Sequence, residues 1–372
     1  MTPLAVRPGA GRTLLMAVDP ARPDPDVVRR AAEVIVGGGL VAFPTETVYG
    51  LGADALNPDA VRRVFAVKGR PPDNPLIVHI AAPEGLEGVA VRVPPRARAL
   101  ASAFWPGPLT LVLPRAPRVP LATTGGLDTV AVRMPAHPVA LALIRAAGRP
   151  IAAPSANRSG RPSPTTAAHV LEDLEGQVDV VLDGGPCPVG VESTVLDLTE
   201  EPPVILRPGG IPREALEAVL GRVRLLGEVP HAGRRSPGTR YRHYAPRAAL
   251  LLADPEGVEG LVARLLREGW RVGLLTRRPY PETPGLLVRR VPQDPSGYAR
   301  HLFALLRELD ALGCQVIVAE TVEEKGIGAA VMDRLRRAAS SPFLLQADEG
   351  LPDQHRQEGQ GEGQHPQHGK GH

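Results

Sequence analysis

Residues 43–80, FPTETVYGLGADALNPDAVRRVFAVKGRPPDNPLIVHI, decide how the chain is read. Leu40 to Phe43 form an apolar run that stops at Pro44, the mark of a buried strand. Pro58 to Val67 carry apolar residues at helical spacing, and Leu76 to Ile80 form a second apolar run. Strand, helix and strand in that order make an α/β unit. Between them lie two polar segments punctuated by Gly and Pro, and chemistry is expected there. The first sets the hydroxyls of Thr45, Thr47 and Tyr49 and the carboxylate of Glu46 beside Gly50 and Gly52, where missing side chains let backbone approach a ligand. The second is Lys68-Gly69-Arg70 followed by Pro71, Pro72, Asp73, Asn74 and Pro75. Prolines that hold two cations in place suit recognition of a polyanion such as a nucleoside triphosphate. Lys68 is one of only three lysines among 43 basic residues, and a compact ammonium reaches between phosphate oxygens where a guanidinium fork is oversized. Taken alone, K-x-R is equally a solvated basic turn after a helix.

Upstream, residues 1–22 have no firm period beyond one short strand at Thr13 to Met16. Asp24 caps a helix that runs from Pro25 to Val36 and stops at Gly37-Gly38-Gly39. Downstream, strands at 76–80, 109–113, 129–134, 150–153, 178–182, 193–198 and 203–207 alternate with helices near 94–104, 138–147, 165–175 and 212–220. This predicts an α/β domain over 20–222 with a large twisted, mixed sheet. Residues 223–246 lack a core element, and Pro230, Gly233, Pro237, Gly238 and Pro246 mark a linker. SPGTRYRHYAP at 236–246 is rich in Arg, Tyr and His, so it reads as a lid as well as a tether; an ordinary inter-domain linker is the other reading. A second alternation over 247–345, with strands at 248–252, 271–276, 285–291 and 316–320 and helices at 256–268, 298–313 and 327–340, predicts a smaller Rossmann-like α/β domain. Linker and second domain lie outside the first domain's strands and helices, so a chain cut before residue 230 is expected to fold and to lose activity. The Gln-, Gly- and His-rich tail, 348–372, is expected to be disordered and has no metal-ligand spacing.

A length of 372 residues accommodates two globular domains. A net charge of +3 does not mark a strongly electrostatic nucleic-acid binder. Cys187 and Cys314 lie far apart, and no signal peptide or apolar run of membrane-spanning length is present. A soluble, reducing, cytoplasmic setting without a membrane partner is expected. Walker A, H-E-x-x-H, G-x-S-x-G and clustered Cys/His are absent, which excludes the commonest NTPase, zinc-protease and serine-hydrolase chemistry. Polar groups also stand at further strand ends. Arg133 closes a buried-strand pattern, and a buried charge needs an anion. Ser155, Asn157 and Ser163 lie in PSANRSGRPSPT, which also reads as a turn held by its own side chains. Ser193 and Thr194 open a strand behind Gly190, and Arg207 ends one, where it is equally a solvated strand end. Cations and hydroxyls without a nucleophile suit a reaction that positions anions and spreads phosphoryl charge.

FPTETVYGLG, KGRPPDNPLIVHI and PSANRSGRPSPT together resemble the Sua5/YciO/YrdC family, whose hallmark is a K-x-R and S-x-N pair, here Lys68/Arg70 and Ser155/Asn157. With SPGTRYRHYAP and a second domain behind it, the chain resembles the two-domain Sua5 form of that family over residues 20 to 345. The resemblance implies synthesis of threonylcarbamoyl-AMP for the tRNA modification t6A37. L-Threonine and bicarbonate give N-carboxythreonine, whose carboxylate attacks the α-phosphate of ATP and expels pyrophosphate. It assigns Lys68, Arg70, Asn74, Thr129, Ser155, Asn157, Ser163 and Arg207 to ATP, with Lys68 and Arg70 as catalytic cations; the composition of the lid adds the expectation that Tyr244 or Tyr241 closes against that ligand. Thr47, His79, Arg133 and Ser193 are assigned to threonine, with Arg133 the bidentate partner of its carboxylate. Judged alone, His79 is more often a satisfied core histidine. Ala153 stands where related sequences present a hydroxyl, and Thr239 where the family's linker often has methionine. The resemblance also implies Mg²⁺ arriving with ATP, no metal site in the protein itself, delivery to the downstream threonylcarbamoyl-transferase machinery, and weak tRNA binding. Two other readings are a double-stranded RNA or tRNA-binding module without catalysis of its own, and carbamoyl-adenylate formation as in hydrogenase maturation. The latter needs a cysteine-rich zinc module that two cysteines cannot supply.

Overall fold

In the computed structural model, residues 11–236 and 243–340 are described, so Thr239, Tyr241 and the 348–372 tail lie outside the described residues. The first sheet has 11 strands. These are β1 (Leu14–Ala17), β2 (Val41–Phe43), β3 (Gly50–Asp54), β4 (Ile77–His79), β5 (Leu109–Pro114), β6 (Thr129–Arg133), β7 (Ile151–Ala152), β8 (Val180–Asp183), β9 (Thr194–Asp197), β10 (Val204–Arg207) and β11 (Arg224–Leu225). They lie in the order β1-β8-β2-β3-β7-β4-β6-β5-β9-β10-β11, with parallel and antiparallel neighbours mixed as expected. Seven helices pack around them: α1 (Pro25–Val36), α2 (Pro58–Lys68), α3 (Leu86–Val89), α4 (Pro95–Phe104), α5 (Pro138–Ala147), α6 (Ala167–Leu174) and α7 (Arg213–Leu220).

The second sheet comprises β12 (Ala249–Ala253), β13 (Val272–Thr276), β14 (Leu286–Arg290) and β15 (Val316–Glu320), parallel throughout, with helices α8 (Val258–Arg267), α9 (Pro295–Ala311) and α10 (Gly328–Ala338). Its order β12-β15-β13-β14 inserts the last strand between the first and the second. The domain is thus Rossmann-like in its parallel α/β build, with a strand order of its own. Both sheets belong to one compact unit that ends at Ala339. No helix among the described residues is long and apolar enough to cross a membrane. Cys187 and Cys314 are buried and unpaired.

Local signals set the elements that carry the polar loops. Asp24 accepts from Asp26 N to cap α1, and Asn57 accepts from Asp59 N and Ala60 N to cap α2. Helix α2 stops at Gly69 in the left-handed region (φ 60°), which turns the chain between Lys68 and Arg70. One element departs from the sequence reading. Gly50 to Asp54, read as part of a ligand-facing polar segment, form β3 against β2, with Phe43 opposite Gly50. A Cβ on Gly52 would meet Phe43 Cε1 at 2.7 Å and Ile151 Cγ2 at 2.9 Å, so this glycine admits core side chains and not a ligand.

The 223–246 segment also holds more structure than its Pro/Gly content suggests. β11 extends the first sheet, two short 3-10 turns follow, and Val229 and Ala232 are buried in an apolar cluster with Leu206. Arg235 anchors the segment on Asp197 and Glu200. The second domain's core is shared as well: Val48 and Val191 from the first domain and Tyr244 from the linker pack with Phe303, Leu306 and Ile317.

Candidate active site

Strand register assembles the site. Parallel pairing of β4 with β6 sets His79 beside Arg133, and antiparallel pairing of β5 with β6 sets Thr110 on its other side. β9 runs parallel to β5 with Thr194 opposite Leu109, so Ser193 arrives at the same sheet end. An isolated bridge between Gly50 and Ser155 ties the PTETVYG segment to the S-x-N loop. A cleft of about 650 Å³ of empty space, its open mouth included, results.

Of the residues expected at the site, Thr47, Arg70, His79, Arg133, Ser155, Asn157, Ser193, Arg207 and Tyr244 line this one cleft. Lys68, Asn74 and Ser163 stand behind its wall as buried side chains. Thr129 lies outside it, at the end of β6 opposite Pro114 and four residues from Arg133, which is about 13 Å along a strand. Thr45, whose hydroxyl the sequence places in a segment where chemistry is expected, also lines the cleft, as do Glu192, Arg161 and His243, which were not named as site residues. The available signal was adjacency. Glu192 precedes Ser193, Arg161 lies within the S-x-N loop, and His243 precedes Tyr244.

The K-x-R cations divide their work. Lys68 Nζ donates to Ser155 O at 2.5 Å and to Asn157 O, so the ammonium holds the backbone of the S-x-N loop. Burial, and then the neighbouring charge of Arg70, push its pKa well below the ordinary lysine value. Arg70 faces the cleft and donates to the carbonyls of Asn74 (3.2 Å) and Pro75 (2.9 Å), which brings it to the proline-stiffened loop. Asn157 Nδ2 donates to Arg158 O and Arg161 O, while its Oδ1 is buried with no hydrogen-bond partner in the cleft wall. Arg207 donates through Nε and Nη2 to Ser193 O, and burial lowers its pKa.

The other pole of the cleft is the Arg133 pocket. Arg133 Nη1 donates to Thr47 Oγ1 at 2.9 Å, and Thr47 is held in turn by Thr45 Oγ1 at 2.9 Å. Behind Arg133 sits Glu46, with Oε1 2.6 Å from Nη2 and both groups nearly inaccessible to water. The distance is that of an ion pair, but neither carboxylate oxygen nor Nη2 meets hydrogen-bond alignment, so the contact is one of charge. Glu46 thereby supplies the anion that the buried Arg133 requires. His79 stands edge-on to Phe43, and burial followed by the charge of Arg133 lowers its pKa to about 3, leaving a neutral ring with an unpartnered Nδ1. Ser193 Oγ shares a hydrogen bond with Thr110 Oγ1 at 2.8 Å.

The linker, backed by the second domain, closes the remaining side. Ala245 N donates to Gly160 O, pinning the linker to the S-x-N loop. Tyr244, at φ 67°, stacks on Phe303 of α9 with ring centroids 5.4 Å apart, and Arg334 of α10 lies 5.4 Å from the Tyr244 centroid. His243 lines the cleft with its pKa lowered to about 4 by burial and then by Arg70 and Lys68. Arg334 Nε donates to Glu192 Oε2 at 2.7 Å; Arg307 Nη2 donates to Asp173 Oδ2 at 2.7 Å and to Pro162 O at 2.6 Å. Gly190, at φ +82°, passes so close to α9 that a Cβ would lie 2.4 Å from Arg300 Cα.

Two family models cover nearly the whole of this architecture. Residues 33–209 match the Sua5/YciO/YrdC model, described as telomere recombination, and residues 211–340 match the C-terminal domain of threonylcarbamoyl-AMP synthase. Threonylcarbamoyl-AMP synthase of Pyrococcus abyssi is 52% identical over 321 residues, 84% of this chain and 94% of that protein. The chain belongs to the Sua5/YciO/YrdC family. The Bacillus subtilis threonylcarbamoyl-AMP synthase is 46% identical over 334 residues, 86% of this chain and 95% of its own length. The crystal structure of P. abyssi Sua5 complexed with L-threonine superposes with a TM-score of 0.84 at 51% identity, covering 88% of this chain and 98% of that one. The two-domain Sua5 arrangement, and not only the first domain, is therefore common to both.

Proposed function

We propose that this chain makes threonylcarbamoyl-AMP and pyrophosphate from L-threonine, bicarbonate and ATP. The observation that carries the reading is one cleft that gathers Arg70, Arg207 and the S-x-N loop with Arg133, Thr47 and Ser193, and in which Arg207 and Ser193 meet. The Arg133 pocket takes the threonine carboxylate, for which a guanidinium offers bidentate geometry, with Thr47 and Ser193 as hydroxyl partners and the neutral His79 beside them. The threonine amine joins the carbon of bicarbonate with loss of water, giving N-carboxythreonine. Its new carboxylate oxygen attacks the α-phosphorus of ATP; the P–O bond to the β-phosphate breaks and pyrophosphate leaves. Arg70 and Arg207 stabilise the charge that develops on the phosphoryl oxygens, and Asn157, Ser155 and Tyr244 position the nucleotide. Lys68, Asn74 and Ser163 act from behind by holding these loops.

Among the described residues no group of three or more His, Cys, Asp or Glu side chains could hold a metal. Mg²⁺ would enter with the nucleotide and would supply shielding of phosphate charge. The functional division follows 20–222 as catalytic domain, 223–246 as linker and lid, and 247–345 as the second domain. The product passes to threonylcarbamoyl-transferase machinery for t6A37, in the reducing cytoplasm that suits two unpaired cysteines, with tRNA at most a weak ligand. Pyrophosphate release measured across amino acids, with and without bicarbonate, tests the reading. Release is expected with threonine plus bicarbonate only. Tight tRNA binding without any release would move the assignment to an RNA-binding module.

A further inference from the structure

We infer that Arg334, a second-domain side chain with no exposed surface, is a positioning residue for nucleotide binding: it engages Glu192 so that the cleft's arginines meet the phosphates without a competing carboxylate. Glu192 lines the cleft together with Arg70, Arg161 and Arg207. Its Oε2 accepts from Arg334 Nε at 2.7 Å, and its Oε1 accepts from Ser163 Oγ at 2.5 Å. Each carboxylate oxygen thus has a partner of its own, Arg334 or Ser163. Arg334 is itself fixed by Pro208 O at 2.9 Å and Asp333 Oδ2 at 2.6 Å, and its guanidinium lies over Tyr244. These contacts fix Nε and Nη1, Nη2 is buried without a hydrogen-bond partner, and Arg334 does not itself line the cleft, so its influence there passes through Glu192.

A carboxylate in the wall of a cleft that receives a triphosphate is a liability unless its charge is matched. Burial works against the ionised form of Glu192, yet Arg334 first and Arg207 second outweigh it and keep the acid below its usual range. Glu192 therefore already lies within the field of Arg207. Remove Arg334, and Arg207 is the cation to which the carboxylate turns. That withdraws a guanidinium from the phosphates and leaves the nucleotide facing negative charge. Threonine, held at Arg133, is affected less, through the contact of Arg207 with Ser193 alone.

The inference rests on the cleft being an ATP site, and the experiment separates the two. Pyrophosphate release by the full-length protein is followed with ATP varied at saturating threonine, then with threonine varied at saturating ATP. A parent protein without release overturns the ATP reading and this inference with it. With an active parent, Arg334→Met is expected to raise KM for ATP about tenfold or more while KM for threonine moves by less than about threefold. Arg334→Lys, which keeps the charge beside Glu192, is expected to hold KM for ATP within about threefold of the parent. Adding Glu192→Gln to Arg334→Met is expected to recover most of the lost ATP affinity, because the bare carboxylate is gone. If Arg334→Met does not fold, Arg334→Gln, which keeps a donor toward Glu192 and loses the charge, takes its place with the same expectation. Equal rises in both KM values, or a double variant as weak for ATP as the single one, overturn the inference.

Discussion

The two walls of the cleft are built differently. On the first-domain wall, Arg70 and Arg207 donate to backbone carbonyls of their own surroundings, Pro75 and Ser193. On the opposite wall, His243 and Tyr244 ride on a linker pinned between Gly160 and Phe303, and the cations behind them, Arg307 and Arg334, are locked onto first-domain carboxylates. A hydrogen bond from a guanidinium to a carbonyl contributes about 1.5–3 kcal/mol and can be exchanged for one to a phosphate. Breaking a buried ion pair from one side costs about 3–5 kcal/mol. The first wall can therefore respond to a ligand, whereas the second holds the molecule together and shapes the site through its partners.

The widest test of this contrast is removal of the second wall. A chain cut before residue 230 loses both Arg307 and Arg334, leaving Glu192 without its cation and Asp173 with Arg161 alone. It also strips Val48 and Val191 of their apolar partners. The shared core and these ion pairs point against an independently folded first domain: the truncated chain should be less stable than the full-length protein and lose activity. Chemical denaturation of the truncated and full-length proteins decides, and equal midpoints for the sheet of the first domain would erase the distinction between the walls.

Within the first wall, the two cations of K-x-R should now behave differently. Arg70→Ala is expected to lower turnover about a hundredfold, on the order of 2.7 kcal/mol of transition-state stabilisation, with little change in melting temperature. Lys68→Ala removes the donor from Ser155 O and Asn157 O and should lower both turnover and melting temperature. Parallel kinetics and thermal melts on the two variants check this; identical behaviour would return Lys68 to the same role as Arg70.

The smallest expected effect is one of pH. His243 on the second wall has its pKa lowered from 6.5 to about 4, chiefly by burial. The folded protein keeps this ring neutral while the unfolded chain takes up a proton near pH 6.5, so between about 6.5 and 4 the unfolded state binds more protons. Stability must therefore fall as pH is lowered through that window. His79, lowered to about 3 by burial, acts in the same sense from the first wall. Denaturation midpoints at pH 7 and pH 4.5 should differ less in His243→Gln than in the parent; an unchanged difference would mean that the histidine is solvated when folded.

Much of this was legible in the chain because it depends on neighbours in sequence. Apolar runs located β4, β5, β6, β9 and β10 within a residue or two, and Asp24, Asn57, Gly37 and Gly69 bound α1 and α2 by capping chemistry that any chain would obey. β3 escaped because Gly50-Leu-Gly-Ala-Asp has no strand propensity of its own; pairing with β2 and packing on Phe43 supply what the residues lack. The 223–235 stretch escaped for a similar reason, since β11 has only two residues and exists by adding to β10.

The residue types of the site were likewise written in its motifs, since a K-x-R loop stiffened by prolines and an S-x-N loop can be read without coordinates. Their division of labour was not. Whether a cation faces a cleft or a carbonyl depends on which loop lies beneath it, and Lys68 meets Ser155 and Asn157 across 87 and 89 residues of chain. Thr129 and Arg133 share one strand, yet only one end of β6 opens into the cleft, a choice made by sheet register. Glu192 and Arg334 are separated by 142 residues and belong to different sheets. The sequence by itself determined the elements and the chemical inventory, because those follow from short-range sterics and patterning. The tertiary structure alone decided which charges are spent on holding the loops and which are presented to a ligand, because a buried charge takes its meaning from the partner that folding brings to it.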